Sequence, residues 1–191
     1  MLQIKTPPLR VSRELFARLT VENPDARLER ARDGTLVLMP PTGADGSRRN
    51  LNLAIQLGAW NEAARLGVAF DSSGGFELPD GSVRAADAAW VSLPRWQRLT
   101  QAQRKTFAPL CPDFVVELRS PSDRMADLRE KMIDYIANGV RLGWLIDPYE
   151  KRVEAYRPDR EVEELLAPES LAADDVLPGF LLKLAPIYDE L

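Results

Sequence analysis

The sequence predicts an α/β fold, a mixed sheet flanked by helices, and three observations carry that reading. Residues 47–66 keep helical periodicity over about twenty positions. Between residues 68 and 120, short apolar runs alternate with turn residues, as strands do. A second amphipathic helix at 124–137 is followed at once by the apolar run 142–146. The order through the middle is helix, three strands, helix, strand, and such an order packs helices onto a sheet.

Taken from the start, residues 1–10 read as an arm with a polyproline-like Pro7-Pro8. Residues 11–21 place Leu15, Phe16 and Leu19 at helical spacing behind Ser12, an N-cap residue type. Asn23-Pro24-Asp25 ends that helix. Residues 26–31 and 35–39 flank Arg32-Asp33-Gly34, an Asp-Gly hairpin signal, and Pro40 to Gly43 closes the unit. In the helix 47–66, Leu51, Leu57, Ala59, Trp60 and Ala63 leave only a narrow polar side, which predicts a largely buried helix stopped by Gly67. Strands are expected at 68–70, 75–78 and 83–91, with the Pro79-Asp80-Gly81-Ser82 turn between the last two and a helical excursion at 94–105. Beyond the strand 112–120, Asp123 is the expected cap of the helix 124–137, which Asn138-Gly139 stops. Strands at 142–146 and 152–156 follow. Residues 158–176 read as acidic and exposed, anchored by Leu165-Leu166, ahead of a last strand at 177–184. One domain over 1–191 is expected: arm, helix and hairpin to 45, a core over 46–157 and a C-terminal extension over 158–191.

The chemistry open to this chain is narrowed by what it lacks. It has no histidine and one cysteine, Cys111. That excludes histidine triads, histidine bases and thiolate or imidazole zinc cages together. A metal would have to sit among carboxylates, which favours Mg²⁺, Mn²⁺ or Ca²⁺. A lone cysteine fits a reducing compartment, and the N-terminus shows no signal-peptide pattern, so a cytoplasmic protein is expected. No apolar run is long enough to span a membrane. A net charge of −4 weighs against a purely electrostatic nucleic-acid binder.

The stretch Pro112 to Ser120 is the expected working centre. With period-two alternation, Asp113, Val115, Glu117 and Arg119 share one face, and Phe114, Val116 and Leu118 share the other. Glu117 and Arg119 then stand about 6–7 Å apart on a central strand, where charge is costly unless a salt bridge, or a metal and a phosphate, satisfies it. Asp87 lies among small apolar residues on the strand 83–91. Lys131 falls at the edge of the Leu128, Met132, Tyr135 stripe, from which a long side chain reaches the sheet. Two carboxylates on neighbouring strands, about 4.8 Å apart, and a lysine are the parts that metal-assisted phosphodiester hydrolysis needs.

At these residues the chain resembles the Uma family of restriction-type endonucleases, within the PD-(D/E)XK nuclease superfamily. The likeness runs through residues 36–43, 75–81, Asp87-Ala88-Ala89-Trp90-Val91, 112–123, Lys131-Met132, Tyr135, Asn138-Gly139-Val140 and residues 143–148. It implies a restriction-endonuclease-like fold and an Mg²⁺- or Mn²⁺-dependent endonuclease acting on DNA. Asp87 and Glu117 would be the acidic pair, Lys131 the lysine moved onto the following helix, and Glu29 an additional acid near the metal. Ala86 departs from the usual proline before the aspartate. Arg119 stands at the usual strand-lysine position, where it can contact phosphate but never act as a base.

Each residue alone also has a structural reading: a Glu117–Arg119 salt bridge, a capping Asp87, a solvated Lys131. Asp113 is about 13 Å from Glu117 along the strand and reads as structural, as do Asp147 before Pro148 and the four tryptophans. Two alternatives therefore stand beside the nuclease: a catalytically silent nucleic-acid binder, and an oligomeric scaffold of the same fold. A homodimer or higher homo-oligomer is expected from the prevalence of twofold assemblies.

Overall fold

The structure, a computed structural model, describes residues 9–39 and 41–188. The polyproline-like Pro7-Pro8 and the turn residue Pro40 lie outside them. In chain order the elements are α1 (Arg13–Glu22), β1 (Arg27–Arg30), β2 (Leu36–Met39), α2 (Ala44–Ala64), β3 (Gly67–Asp71), β4 (Gly75–Glu77), β5 (Val83–Ala85) and β6 (Ala88–Ser92). There follow α3 (Leu93–Gln97), α4 (Gln101–Arg104), β7 (Phe114–Leu118), α5 (Met125–Ala137), β8 (Leu142–Asp147), β9 (Arg152–Tyr156), β10 (Glu163–Leu166), β11 (Ser170–Ala172), β12 (Leu181–Lys183) and α6 (Ala185–Tyr188).

The main sheet has the order β10-β9-β8-β7-β6-β3. Only β7 and β8 run parallel, and α5 makes their crossover. The helix, three-strand, helix, strand core is therefore α2, β3-β6-β7, α5, β8, a mixed sheet flanked by helices as expected. A smaller antiparallel sheet, β2-β1-β5-β4, stands beside it.

Strand alternation sorts the main sheet into two apolar faces. Trp90, Phe114, Val116, Trp144 and Ile146 pack under Leu53 and Leu57 of α2 and the C-terminal segment. Ala89, Val91, Val115 and Leu145 pack under Met132 and Tyr135 of α5. Burial of whole aliphatic and aromatic side chains on both faces, about 1.5–3 kcal/mol each, supplies the main drive for this layering.

Several expectations are corrected. The run 83–91 is two strands in two sheets, broken at Ala86-Asp87. The expected helical excursion at 94–105 is present, divided into two short helices, α3 and α4. Helix α2 begins earlier than expected and is not largely buried, since Leu51 (60%) and Ile55 (57%) are exposed. Its stop is Arg65, in the left-handed region at φ 55°, rather than Gly67. Gly67 instead serves close approach, because a Cβ there would collide with the Val91 carbonyl and the Trp90 indole. Asp123 does not cap α5: the N-cap is Arg124, and Asp123 accepts from the Ser120 N–H (2.8 Å). The C-terminal segment is not a mere acidic extension. It adds edge strand β10 and buries Leu171, Val176, Leu177 and Phe180 in the core, while Leu166, half of the expected anchor, is exposed. Among the described residues no helix is long and apolar enough to cross a membrane.

Candidate active site

Four charged residues, three from β1, β7 and α5 and one from the bend between β5 and β6, converge where the small sheet meets one end of the main sheet. Glu117 sits near the end of β7 on the face covered by α5. Continuing the Ala88–Val116 register by one residue sets Asp87 opposite Glu117, and the Leu118 N–H donates to Asp87 Oδ2 across that gap (2.8 Å). Asp87 can reach in this way because the chain bends at Ala86-Asp87, leaving β5 in one sheet and β6 in the other. From α2, the Asn50 amide donates to Asp87 Oδ1 (3.1 Å).

Lys131, one turn before Tyr135 on α5, extends to the sheet rather than to solvent. Its side chain is 12% exposed, and its ammonium lies 2.8 Å from Glu117 Oε1, 2.9 Å from Glu29 Oε1 and 3.0 Å from the Ala85 carbonyl. Those three partners account for its three N–H bonds. Glu29, on β1, is also buried, and it accepts from the Ala85 N–H (2.9 Å) and from Arg84 (3.2 Å). Arg84 in turn pairs with Asp134 of α5. The Tyr135 hydroxyl donates to the same Oε1 of Glu117 (3.2 Å). Among the described residues nothing donates to Glu117 Oε2.

Electrostatics separate the three acids. Burial pushes the Glu117 carboxyl up to about 8; the Lys131 ammonium pulls it down, while Asp87 and Glu29 add to the rise. Asp87 is also raised by burial, against the Leu118 N–H and Lys131. Glu29 is lowered, because Lys131 and Arg84 outweigh its burial. Lys131 is raised well above its ordinary value by Glu117 and Glu29, despite burial, and so stays an ammonium ion.

Arg119 is placed differently. It lies just past β7 and bonds to Asp147 at 2.7 Å rather than to Glu117, with its guanidinium 5.9 Å from the Tyr149 ring centroid. The simple Glu117–Arg119 salt bridge is therefore not formed, and Glu117 takes Lys131 as its partner. Asp113 has a structural place, holding the Ser92 N–H (2.8 Å) and Arg95 (2.9 Å). Asp147 closes its turn through the Tyr149 N–H and also holds Arg119. Cys111 is buried, which pushes its thiol up to about 12 and leaves no thiolate for nucleophilic work.

Sequence reasoning missed Asn50, Tyr135 and Arg84 as members of this site. Tyr135 reads as one more apolar stripe position and Asn50 as part of a polar helix side. Arg84 carried a usable signal, a cation on a strand among apolar neighbours, the same one that singled out Asp87.

Comparison with known proteins bears on the family and the fold. The Uma2 family, described as "Putative restriction endonuclease", matches residues 13–185. A solved structure titled as a "putative nuclease belonging to DUF820" from Anabaena variabilis superposes with a TM-score of 0.77. It is 19% identical, over 93% of this chain and 97% of that one, so the likeness is one of fold. No curated protein matches.

Proposed function

This chain belongs to the Uma2 family, and from that premise we propose that it is a divalent-metal-dependent DNA endonuclease. The observation that carries the reading is the meeting of Asp87, one residue before β6, and Glu117, on the neighbouring β7, with the Lys131 ammonium. The donor set fits a hard cation. Among the described residues no group of three or more acidic, histidine or cysteine side chains is placed to hold a metal ion, so the candidate ligands are the pair Asp87 and Glu117. Two carboxylates are what Mg²⁺ commonly takes from a protein, keeping waters and substrate phosphates as its other ligands.

Asp87 and Glu117 would hold the ion, with Glu117 Oε2 as the oxygen to which none of the described residues donates. A bound cation of this kind neutralises phosphate charge and acidifies a water. The chain's own residues do the rest. Asn50 and the Leu118 N–H fix the Asp87 carboxylate; Lys131 and Tyr135 fix Oε1 of Glu117. Lys131, permanently charged and pinned by three acceptors, is an electrostatic anchor that offsets the buried acids and faces developing phosphate charge, rather than a base. Glu29, enclosed by three donors, holds Lys131 in place and is a poor metal ligand. Asp147 and Tyr149 hold Arg119, whose remaining donors suit a phosphate oxygen.

Supercoiled plasmid incubated with Mg²⁺ or Mn²⁺ tests this directly. Nicking or linearisation by the wild type, lost by at least 100-fold in Asp87→Asn and in Glu117→Gln, is the expected result. Equal cutting by wild type and Asp87→Asn would overturn the assignment. Salt-sensitive DNA binding without any cutting would favour the silent binder instead.

A further inference from the structure

Asn50 belongs to two places at once. Its amide nitrogen holds Asp87 Oδ1, and the same residue lines an open cleft of about 580 Å³ between the β1–β2 hairpin, the first turns of α2 and the β3–β4 turn. The cleft has a second link to the candidate site. Arg27, in its wall, lies two residues before Glu29 on β1 and so on the same face of that strand. The face that presents Glu29 to Lys131 thus continues outward into the cleft.

The lining is mixed in a particular way. Arg27 supplies a guanidinium, already 3.3 Å from the Ser72 hydroxyl; Thr42 and Ser47 supply further hydroxyls; Met39 supplies an apolar wall; and Asp25 adds one carboxylate. Asn50 Oδ1 is buried and has no donor among the described residues, so this amide keeps acceptor capacity beyond its bond to Asp87. A volume of this size is in the range of small-molecule pockets. A cation, hydroxyls, an amide and an apolar wall are the partners that a phosphate, a sugar and a base require. An aliphatic peptide or a lipid chain would offer nothing to the remaining donors of Arg27, to the Ser47 hydroxyl or to Asn50 Oδ1.

We propose that this cleft is a nucleotide subsite, holding the nucleotide next to the scissile phosphate, with Asn50 tying its occupancy to the setting of Asp87. The proposal rests on the nuclease reading for the identity of the polymer, but the cleft can be tested without cleavage. Occupancy places a sugar–phosphate unit against Arg27 and the hydroxyls, and the chain of the substrate then runs on towards Asp87 and Glu117. Asn50 is in this account a positioning residue: it touches Asp87 rather than the reacting phosphate.

The probe is thymidine 5′-monophosphate, titrated into ¹⁵N-labelled protein without metal. Shifts confined to the amides of Thr42, Ser47, Ser72 and the Asn50 side chain are expected, and Ser47→Trp, an exposed position whose enlarged side chain fills the cleft, should abolish them. Arg27→Ala should weaken binding at least fivefold and serves as the second variant if Ser47→Trp fails to fold. In cleavage assays Ser47→Trp should raise KM for DNA at least tenfold, whereas Asn50→Ala should lower kcat with a smaller effect on KM. Shifts elsewhere, or equal nucleotide affinity in Arg27→Ala and wild type, would overturn the subsite. Nucleotide binding in the cleft by a protein that never cuts DNA would sink the nuclease reading and leave the subsite standing.

Discussion

Replacing Lys131 with methionine tests the electrostatic account of the site most sharply. The substitution keeps the buried stem and removes the ammonium that lies 2.8 Å from Glu117 and 2.9 Å from Glu29. Breaking a buried ion pair from one side costs about 3–5 kcal/mol, because the other charge is left uncompensated. Glu29 keeps Arg84 and the Ala85 N–H, so the orphan is chiefly Glu117. Glu117 can in part neutralise itself by taking a proton, since burial already drives its carboxyl upward. The cost at neutral pH should thus fall at the lower end, about 3 kcal/mol. At about 2–4 °C per kcal/mol for a chain of this size, that is a fall of roughly 6–12 °C in Tm. Urea and thermal melts in chelator should show it. Lys131→Met combined with Glu117→Gln should recover most of the loss, because the carboxylate nearest the lost ammonium is then neutral as well. A loss below about 1 kcal/mol, or a double variant no better than the single one, would refute the reasoning.

Three further outcomes follow from other contacts. Tyr135→Phe removes one of the two donors that fix Glu117 Oε1, and metal affinity by calorimetry should drop about tenfold; the fold should keep its melting temperature to within a few degrees, and an unchanged affinity would deny the hydroxyl its role. Gly67→Ala pushes a methyl into the Val91 carbonyl and the Trp90 indole and should cost about 1–3 kcal/mol in urea melts. Burial works to raise the Glu154 carboxyl, but Arg129 and Tyr156 outweigh it and hold it below the usual range. A carboxyl lowered on folding adds stability above its unfolded value near 4.5, and that stability is lost as pH falls through the folded value. Glu154→Gln should therefore be less stable than wild type by about 1–3 kcal/mol at pH 7, with the gap closing at pH 3; a gap that persists in acid would show that packing rather than charge sets it.

Much of this fold is legible in the sequence because its elements declare their periods. Leu128, Met132 and Tyr135 mark one face of α5, and the Phe114, Val116, Leu118 alternation marks the core face of β7. What stays hidden depends on contrast that the residues do not provide. Ala85, Ala86, Ala88 and Ala89 look alike on both faces, so the break that sends β5 and β6 into different sheets leaves no trace in the pattern. The apolar Leu51 and Ile55 suggest burial, yet only the packing of α2 decides which stripe meets the sheet. The C-terminal residues look acidic on average, although Leu171, Val176 and Phe180 anchor them in the core.

The candidate site divides in the same way. Asp87, Glu117 and Lys131 are charged residues in apolar company, and that mismatch is visible in one dimension. Their partners are not, because Asn50 lies 37 residues from Asp87 and Lys131 lies 102 residues from Glu29. No local pattern records a contact over such separations. Arg119 shows the opposite error: its spacing from Glu117 suggests a salt bridge between the two, but the strand ends at Leu118 and the arginine pairs with Asp147 instead.

Mn²⁺ binding at equilibrium, followed by electron paramagnetic resonance of the free ion, probes the central claim most directly. The account predicts one tight site in the wild type, lost in both Asp87→Asn and Glu117→Gln and retained in Arg119→Ala. Binding that survives the two carboxylate substitutions, or no binding by the wild type at millimolar Mn²⁺, would contradict it.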